Sequence, residues 1–271
     1  MGTKFDRYRV REGDKVDLCE IDADDNSAFD GGKEAATAKL DEVRDDIAVL
    51  QERLYAEDKH KVLVVLQAMD TAGKDSTIRD VFKETSPNGV HTFAFGRPST
   101  EELAHDYLWR THQHTPGSGQ IHIFNRSHYE DVLVVRVNEL VPEKTWKRRY
   151  EHISNFEQML ADEGTTILKF FLNISRDEQR ERLQERVDLR EKNWKFDPGD
   201  LPVRARWNDY MSAYEDAIEK TSTEQAPWFV IPANRRWYRK LAVAEIVSEA
   251  LRDLDPRFPP PAAGIEGLVI E

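Results

Sequence analysis

The chain has 271 residues and a formal net charge of −12, and its residues are 39% hydrophobic and 33% charged. This length and composition fit a soluble globular protein with one large or two small domains. The acidity argues against a general binder of nucleic acid or of membrane surfaces. An anionic ligand would need basic side chains concentrated at one place.

Cysteine content and hydropathy bear on the compartment. The single cysteine, Cys19, excludes an intramolecular disulfide and suits a reducing environment. The first residues lack the apolar stretch of a signal peptide, and no apolar run reaches the length that spans a membrane. We therefore expect a cytoplasmic protein that binds neither nucleic acid nor membrane.

The hydrophobic pattern predicts helices and strands in alternation. Residues 1–32 are polar and irregular, and an amphipathic helix follows, with apolar residues at Ala36, Leu40, Val43, Ile47, Leu50 and Leu54. Strands are predicted at 62–68, 90–95, 120–124, 166–172 and 228–231. Helices are predicted from Ile78 and at about 101–112, 128–138, 143–163, 176–195, 203–220 and 236–253.

Strands separated by helices indicate an α/β fold, a parallel sheet with helices on both faces. No internal repeat or linker divides this pattern. We expect an irregular N-terminal segment at 1–32, a single domain at 33–256 and a Pro-rich tail at 257–271.

The most informative motif lies where the first predicted strand ends. An apolar run leads into an acid, Asp70, then into Gly73-Lys74, and a helix opens directly afterwards. Backbone N–H groups at a helix N-terminus, the helix dipole and a lysine charge together favour a bound phosphate. The match to a P-loop is imperfect, because Ala68 replaces the first glycine and Asp75 follows the lysine. The candidate phosphate contacts are Ala72, Gly73, Lys74, Asp75, Ser76 and Thr77.

A second polar motif, Phe124-Asn-Arg-Ser-His-Tyr-Glu-Asp131, follows the third predicted strand. Ligands of open α/β sheets bind outside the carboxyl ends of the strands, so Asn125 and Arg126 are candidates for phosphate or metal contacts. The alternative is structural: Ser127 caps the next helix, and the acids after it complement the helix dipole. Next to a P-loop, the functional interpretation is favoured for Asn125 and Arg126.

Residues 175–195 alternate in charge along a helix, and a solvated, salt-bridged helix is the ordinary interpretation. Against it, Lys192 and Lys195 lie near a Pro-Gly break, where a mobile segment could close over phosphates. A P-loop enzyme needs cations beyond one lysine, which favours a basic helical lid at about 176–200. Arg204, which follows this segment, is a further phosphate candidate.

Four separated motifs together resemble the polyphosphate kinase 2 family. They are Ala68 to Thr77, Pro98 to Arg110, Phe124 to Asp131 and Trp207 to Tyr210, and the resemblance extends over about residues 35–255. It implies a P-loop kinase-like fold related to thymidylate kinase, with a basic lid. It also implies Mg²⁺-dependent transfer of a terminal phosphoryl group from inorganic polyphosphate to a nucleotide. Asn125 and the stretch after it resemble the subgroup that phosphorylates both AMP and ADP.

On this basis the candidate residues receive roles. Lys74 and the loop backbone would hold phosphate, with hydroxyl contacts from Ser76 or Thr77, and Asp70 would bind Mg²⁺ and orient the acceptor phosphate. The basic residues that would bind polyphosphate and stabilise the transferring charge are Arg126, Lys192, Lys195 and Arg204. We expect inorganic polyphosphate and adenine nucleotides as partners, and a homo-oligomer.

Two alternatives belong to other classes. One is a P-loop kinase that uses ATP as donor for a nucleoside, a nucleotide or another small molecule, and the identity of the phosphate donor would separate it. The other is a non-catalytic binder of polyanions or nucleotides. Asp70 beside Lys74 argues against that binder, because an acid near a phosphate cradle repels the ligand unless a metal intervenes.

Overall fold

The computed structural model describes residues 3–265 and 267–270. Its strands are β1 (Arg9–Val10), β2 (Lys61–Gln67), β3 (Val90–Ala94), β4 (Gln120–Asn125), β5 (Thr165–Asn173) and β6 (Trp228–Pro232). They form one sheet in the order β1-β6-β5-β2-β4-β3. Strands β2 to β6 are parallel, whereas β1 pairs antiparallel with β6. The predicted parallel sheet is confirmed.

Ten α-helices surround the sheet in the described part of the chain. They are α1 (Gly32–Glu57), α2 (Lys74–Val81), α3 (Thr100–Ala104), α4 (Trp109–His112), α5 (Val134–Val137), α6 (Glu143–Asp162), α7 (Arg176–Asp188), α8 (Asp200–Ala205), α9 (Trp207–Thr221) and α10 (Arg236–Leu254). Short 3-10 helices lie at Lys4–Tyr8, His128–Asp131 and Arg190–Lys195. Helices α1, α2 and α10 pack together as one layer, and α5, α6 and α9 pack together as another. The sheet is therefore flanked by helices on both faces, as predicted.

The central strand β2 explains how the two motifs meet. Its residues 62–67 are all buried, the near-continuous apolar pattern of a parallel strand covered on both faces. It lies between β5 and β4, and the register pairs Leu66 with Asn125. The loop after β2 and the motif after β4 therefore leave the sheet side by side, at its carboxyl edge.

The amphipathic helix predicted before β2 is confirmed as α1. All six of its predicted apolar positions are buried, and Ile47 and Leu54 are inaccessible to solvent. The helix packs mainly on α10, and it ends at Asp58, whose φ of 53° is left-handed. Burying this stripe against α10 stabilises the layer that also carries α2.

Four predicted helices are interrupted. The segment 176–195 divides into α7 and the 3-10 turn Arg190–Lys195, and the segment 203–220 divides between α8 and α9 at Arg206. Residues 101–112 form α3 and α4, because the Asp106 carboxylate accepts hydrogen bonds from the backbone N–H groups of Leu108 (2.9 Å) and Trp109 (3.2 Å) and starts a new helix there. Residues 128–138 likewise form a 3-10 turn followed by α5. The periodicity predicted the helical character of these segments and missed the breaks.

The N-terminal segment is more ordered than its composition indicated. Strand β1 extends the sheet beyond β6, and the side chain of Phe5 is buried. The Tyr8 hydroxyl forms hydrogen bonds with the hydroxyl of Tyr238 and with Asp25. After α10, residues 257–265 and 267–270 contain no helix or strand. Within the described ranges, no helix has the length and apolar character needed to cross a bilayer.

Candidate active site

The turn between β2 and α2 forms the loop predicted for phosphate. Lys74 is the first residue of α2, and Gly73 before it has a φ of 105°, a conformation that favours glycine. Thr71 also has a positive φ, 66°, so the turn contains a non-glycine residue in the left-handed region. The result is a strand, a tight turn and a helix N-terminus, the local geometry that favours a bound anion.

Lys74 lies beneath this turn with 9% of its surface exposed. Its Nζ donates to the carbonyl oxygen of Ala68 at 2.9 Å, so the side chain folds back over the loop. Burial lowers the pKa of Lys74, the positive charge of Arg126 lowers it further, and nearby acids, Asp70 first, oppose the shift. Lysine, arginine and acids thus interact at one point, as the two motifs predicted.

The motif after β4 contributes Asn125 and Arg126. Arg126 has a φ of 62°, and its guanidinium donates to Oδ1 of Asp70 at 2.9 Å. The amide of Asn125 donates to Oδ1 of Asp75 at 2.5 Å. Both residues therefore join the second motif to the phosphate loop, across neighbouring strands.

The loop that carries Arg126 is anchored from below by buried polar groups. The hydroxyl of Ser127 accepts from the backbone N–H of Tyr129 (3.2 Å), so the capping predicted for this serine is present alongside the site. The hydroxyl of Tyr129 donates to Glu157 at 2.8 Å, and Lys169 donates to the same carboxylate at 2.5 Å. Because breaking such a buried network is costly, it fixes the loop and hence the base of the Arg126 side chain.

Two further acids act on this cluster. Burial raises the pKa of Glu130, although Arg126 and Lys74 lower it. Asp200, at the start of α8, pairs with Arg186 at 3.2 Å. Burial, followed by the negative charge of Asp70, raises the pKa of Asp200 to about 6. The charge of the site is therefore balanced between cations and acids.

The hydroxyls of Ser76 and Thr77, predicted as phosphate contacts, are engaged within the protein. Each donates to the carbonyl oxygen of Gly73, at 3.0 and 2.9 Å. Each also accepts from the guanidinium of Arg239, at 2.9 and 2.8 Å. Their proposed contact with phosphate stays a prediction.

Three side chains that hold the loop were missed by the sequence analysis as site residues. Arg182 donates from Nη1 to the carbonyl oxygens of Thr71 (3.1 Å) and Ala72 (3.2 Å), and Gln179 donates to that of Asp70 (3.2 Å). Arg239 reaches the same loop from α10. These residues lie more than 100 positions away in the sequence, and no local pattern distinguishes them from other charged helix residues.

The predicted lid cations lie apart from the Lys74 cluster. Lys192 donates to Glu185 at 2.5 Å, and Nζ of Lys195 lies 5.0 Å from the ring centroid of Trp194. Arg204 donates to the carbonyl oxygen of Arg176 (2.6 Å) and to Gln179 (2.9 Å). Gln179 also donates to the backbone carbonyl oxygen of Asp70, so the side chain of Gln179 connects Arg204 to the loop.

A parallel sheet with a phosphate-type loop at its central strand, a lysine at the helix start and an arginine just after the neighbouring strand defines a P-loop kinase-like protein. Residues 31–259 match the model of the family described as Polyphosphate kinase 2. The chain belongs to this family.

Relatives cover nearly the full length. An AMP/ADP-polyphosphate phosphotransferase of Meiothermus ruber is 58% identical over 98% of this chain and 99% of its own. An ADP-polyphosphate phosphotransferase of Rhodopseudomonas palustris is 42% identical, over 96% of this chain and 93% of its own. The crystal structure of Polyphosphate Kinase 2 from Arthrobacter aurescens TC1 superposes with a TM-score of 0.94, at 41% identity, and covers 98% of this chain and 94% of that one.

The raised pKa of Asp200 determines how the stability of the protein should change with pH. Because it is raised from 3.8 to about 6, the native state binds the proton more tightly than the unfolded chain. The ionised group therefore costs stability above about pH 6, and this cost disappears as the pH falls below about 4. The difference in unfolding free energy between Asp200→Asn and wild type should rise by roughly 1 kcal/mol, in favour of the variant, from about pH 4.5 to about pH 7.5.

Denaturant unfolding at each pH measures this difference. Glu191→Gln, a change at an exposed acid between α7 and α8, serves as the control for the removal of one acidic side chain. A difference between Asp200→Asn and wild type that stays constant across the range would contradict the assigned cause.

Proposed function

We propose that this protein transfers the terminal phosphoryl group of inorganic polyphosphate to AMP and to ADP, and so produces ADP and ATP. The arrangement of Lys74, Arg126 and Asp70 at the end of the central strand carries the proposal. The name of the relative from Meiothermus ruber, 58% identical over almost the full length, supports both acceptors. The alternative is an ATP-dependent P-loop kinase, and the identity of the phosphate donor distinguishes the two functions.

Phosphoryl transfer requires little covalent chemistry from the protein. Phosphoryl transfer needs the acceptor and leaving oxygens in line, and it needs compensation for negative charge spread over the transferring group. Lys74 and Arg126 supply positive charge at the loop, and the backbone N–H groups at the start of α2 add partial charge. An acceptor phosphate is already largely ionised near neutral pH, so the reaction needs no strong base.

We propose that Asp70 holds Mg²⁺. The arrangement of oxygens fits this ion: Oδ1 of Asp70 accepts from Arg126, while the hydrogen bonds of the described residues leave Oδ2 unengaged. Magnesium binds through one or two carboxylates together with substrate phosphates and waters. The described acids around Asp70 form no tight three-ligand group, which agrees with such a shared site. When bound, the ion would neutralise charge on the phosphates.

We further propose that the basic segment after α7 closes over the polyphosphate. Lys192 and Arg236 both pair with Glu185, and Arg186 pairs with Asp200. A phosphate chain would compete with these carboxylates for the same cations, so ligand binding and movement of the segment are coupled.

The same contacts divide the predicted lid. Arg182 is buried and its guanidinium donates to four backbone carbonyls, which fixes α7 against the loop. The movable part therefore begins after Asp188, at the exposed 3-10 turn Arg190–Lys195.

Both acceptors fit one donor site if the donor can shift. A long polyanion can slide along a basic channel, so its terminal group can meet AMP or the longer ADP without rebuilding the site. The cytoplasmic location and the homo-oligomer stay predictions; light scattering of the purified protein tests the second.

A time course that begins with AMP, Mg²⁺ and polyphosphate tests the proposed reaction. ADP should rise first and ATP should follow, because the product of the first transfer is the acceptor of the second. Chromatography of the nucleotides measures both. If ATP replaces polyphosphate as the only effective donor, the alternative kinase is correct; ADP without ATP would restrict the activity to AMP.

Lys74→Ala should lower the rate of transfer by about 100-fold or more, because it removes a full charge where the phosphates converge. Lys83→Ala, at an exposed lysine just after α2, is the matched control and should retain wild-type turnover. Circular dichroism checks that both variants fold. Turnover near the wild-type value in folded Lys74→Ala would refute the role of the loop lysine.

Asp70→Asn should remove metal affinity with little loss of stability, since the amide keeps the shape and lacks the charge. Titration with Mn²⁺ in the presence of ADP, followed by electron paramagnetic resonance, measures binding independently of turnover. Asp253→Asn, an exposed site on α10, serves as the control. Unchanged Mn²⁺ binding in Asp70→Asn would show that the metal lies elsewhere.

Hydrogen exchange should report the closing segment. With polyphosphate bound, amides of 189–200 should gain protection, whereas those of α7 should change little because Arg182 already fixes the helix. Mass spectrometry of peptides from the two segments, with and without ligand, compares them. Equal exchange of 189–200 in both states would favour a static, salt-bridged segment.

A further inference from the structure

Arg239 is a buried cation that the proposed reaction does not use. Only 1% of its surface is exposed, although it lies on α10, which is far from the loop in sequence. Its guanidinium donates to three uncharged acceptors: the carbonyl oxygen of Ala72 (2.5 Å) and the hydroxyls of Ser76 (2.9 Å) and Thr77 (2.8 Å). All three acceptors belong to the phosphate loop and its helix.

Among the described residues, no carboxylate forms an ion pair with this guanidinium. Asp80, the acid whose charge acts on Arg239, pairs instead with Lys240 and with Arg79. Burial, and then the positive charges of Arg182 and Arg236, lower the pKa of Arg239 to about 9. A buried charge without a counterion is unfavourable, so its presence here needs a reason other than packing.

These hydrogen bonds connect Arg239 directly to the turn. The hydroxyls of Ser76 and Thr77 donate to the carbonyl oxygen of Gly73, and their oxygens are then free to accept from Arg239. The guanidinium also fills the space next to Gly73, where an added Cβ would lie 2.4 Å from Nη1. Gly73 is therefore required by its φ and by this close approach.

We infer that Arg239 is a positioning residue for phosphate binding. It fixes the backbone from Ala72 to Thr77 in the conformation that presents the loop to the anion, and its unpaired charge adds positive potential at that point. A bound phosphate supplies the negative charge that the buried guanidinium lacks. This inference rests on the proposed function in one respect: it takes the bound anion to be a phosphate chain.

The test uses inorganic tripolyphosphate as the probe and titration calorimetry of the full chain as the measurement. Arg239→Met should bind the probe about tenfold more weakly than wild type, by analogy with metal sites, where the loss of a residue that orients a ligand weakens binding by at least about that factor. Arg252→Met is the matched control, because Arg252 lies on the same helix, is half exposed and pairs with Asp46. It should bind as wild type does.

The conservative variant Arg239→Lys separates charge from packing. Burial lowers the pKa of a lysine, so this variant should bind the probe well at low pH and lose affinity as the pH rises and the lysine loses its proton. Wild type should change less over the same range. Equal loss of affinity in the Met and Lys variants at every pH would indicate packing alone and overturn the inference, as would affinities within about twofold of wild type.

Ser76→Ala provides a second route if Arg239→Met does not fold. It removes one acceptor of the guanidinium and should weaken probe binding less than Arg239→Met is expected to. The inference would be overturned if Ser76→Ala bound the probe as wild type does and Arg239→Lys also matched wild type at every pH. Failure of the proposed function is a separate result: wild type would bind tripolyphosphate through Arg239 yet transfer no phosphoryl group to AMP.

Discussion

An acidic chain that holds a phosphate must concentrate positive charge without letting the cations repel one another. At the end of β2, burial and then the positive charge of Arg126 lower the pKa of Lys74, and the negative charge of Asp70, which pairs with Arg126, opposes this shift. The result is a balanced cluster in which an incoming anion or metal changes the balance. The remaining contacts of the site keep these three groups at their positions.

The fold achieves this placement through the sheet and through distant side chains. Parallel pairing of β2 with β4 brings Asp70 and Arg126 to one edge, and the buried Glu157–Lys169 pair fixes the second loop. Arg182 of α7 and Arg239 of α10 donate hydrogen bonds to the backbone of the loop after β2. Two helices from the C-terminal half of the chain therefore determine the shape of a short turn in its N-terminal half.

The sequence was sufficient for features that depend on neighbouring residues. The strand before Asp70, the lysine at the helix start and the amphipathic stripe of α1 all follow from local pattern, and the structure contains them. It was insufficient where contacts join distant segments. The Arg239 contacts with Ala72 and Thr77 span more than 160 residues. The break at Asp106 was missed for a different reason: its carboxylate accepts from nearby backbone N–H groups, and helical periodicity does not report such bonds.

In the proposed reaction, the phosphoryl group comes directly from the polyphosphate chain. The most direct measurement incubates the protein with Mg²⁺, unlabelled AMP and polyphosphate that carries radioactive phosphorus, without any ATP. We expect label in the terminal phosphate of ADP, then in both outer phosphates of ATP, and none in the phosphate next to the ribose. Label that appears only as free phosphate, with AMP unchanged, would contradict it.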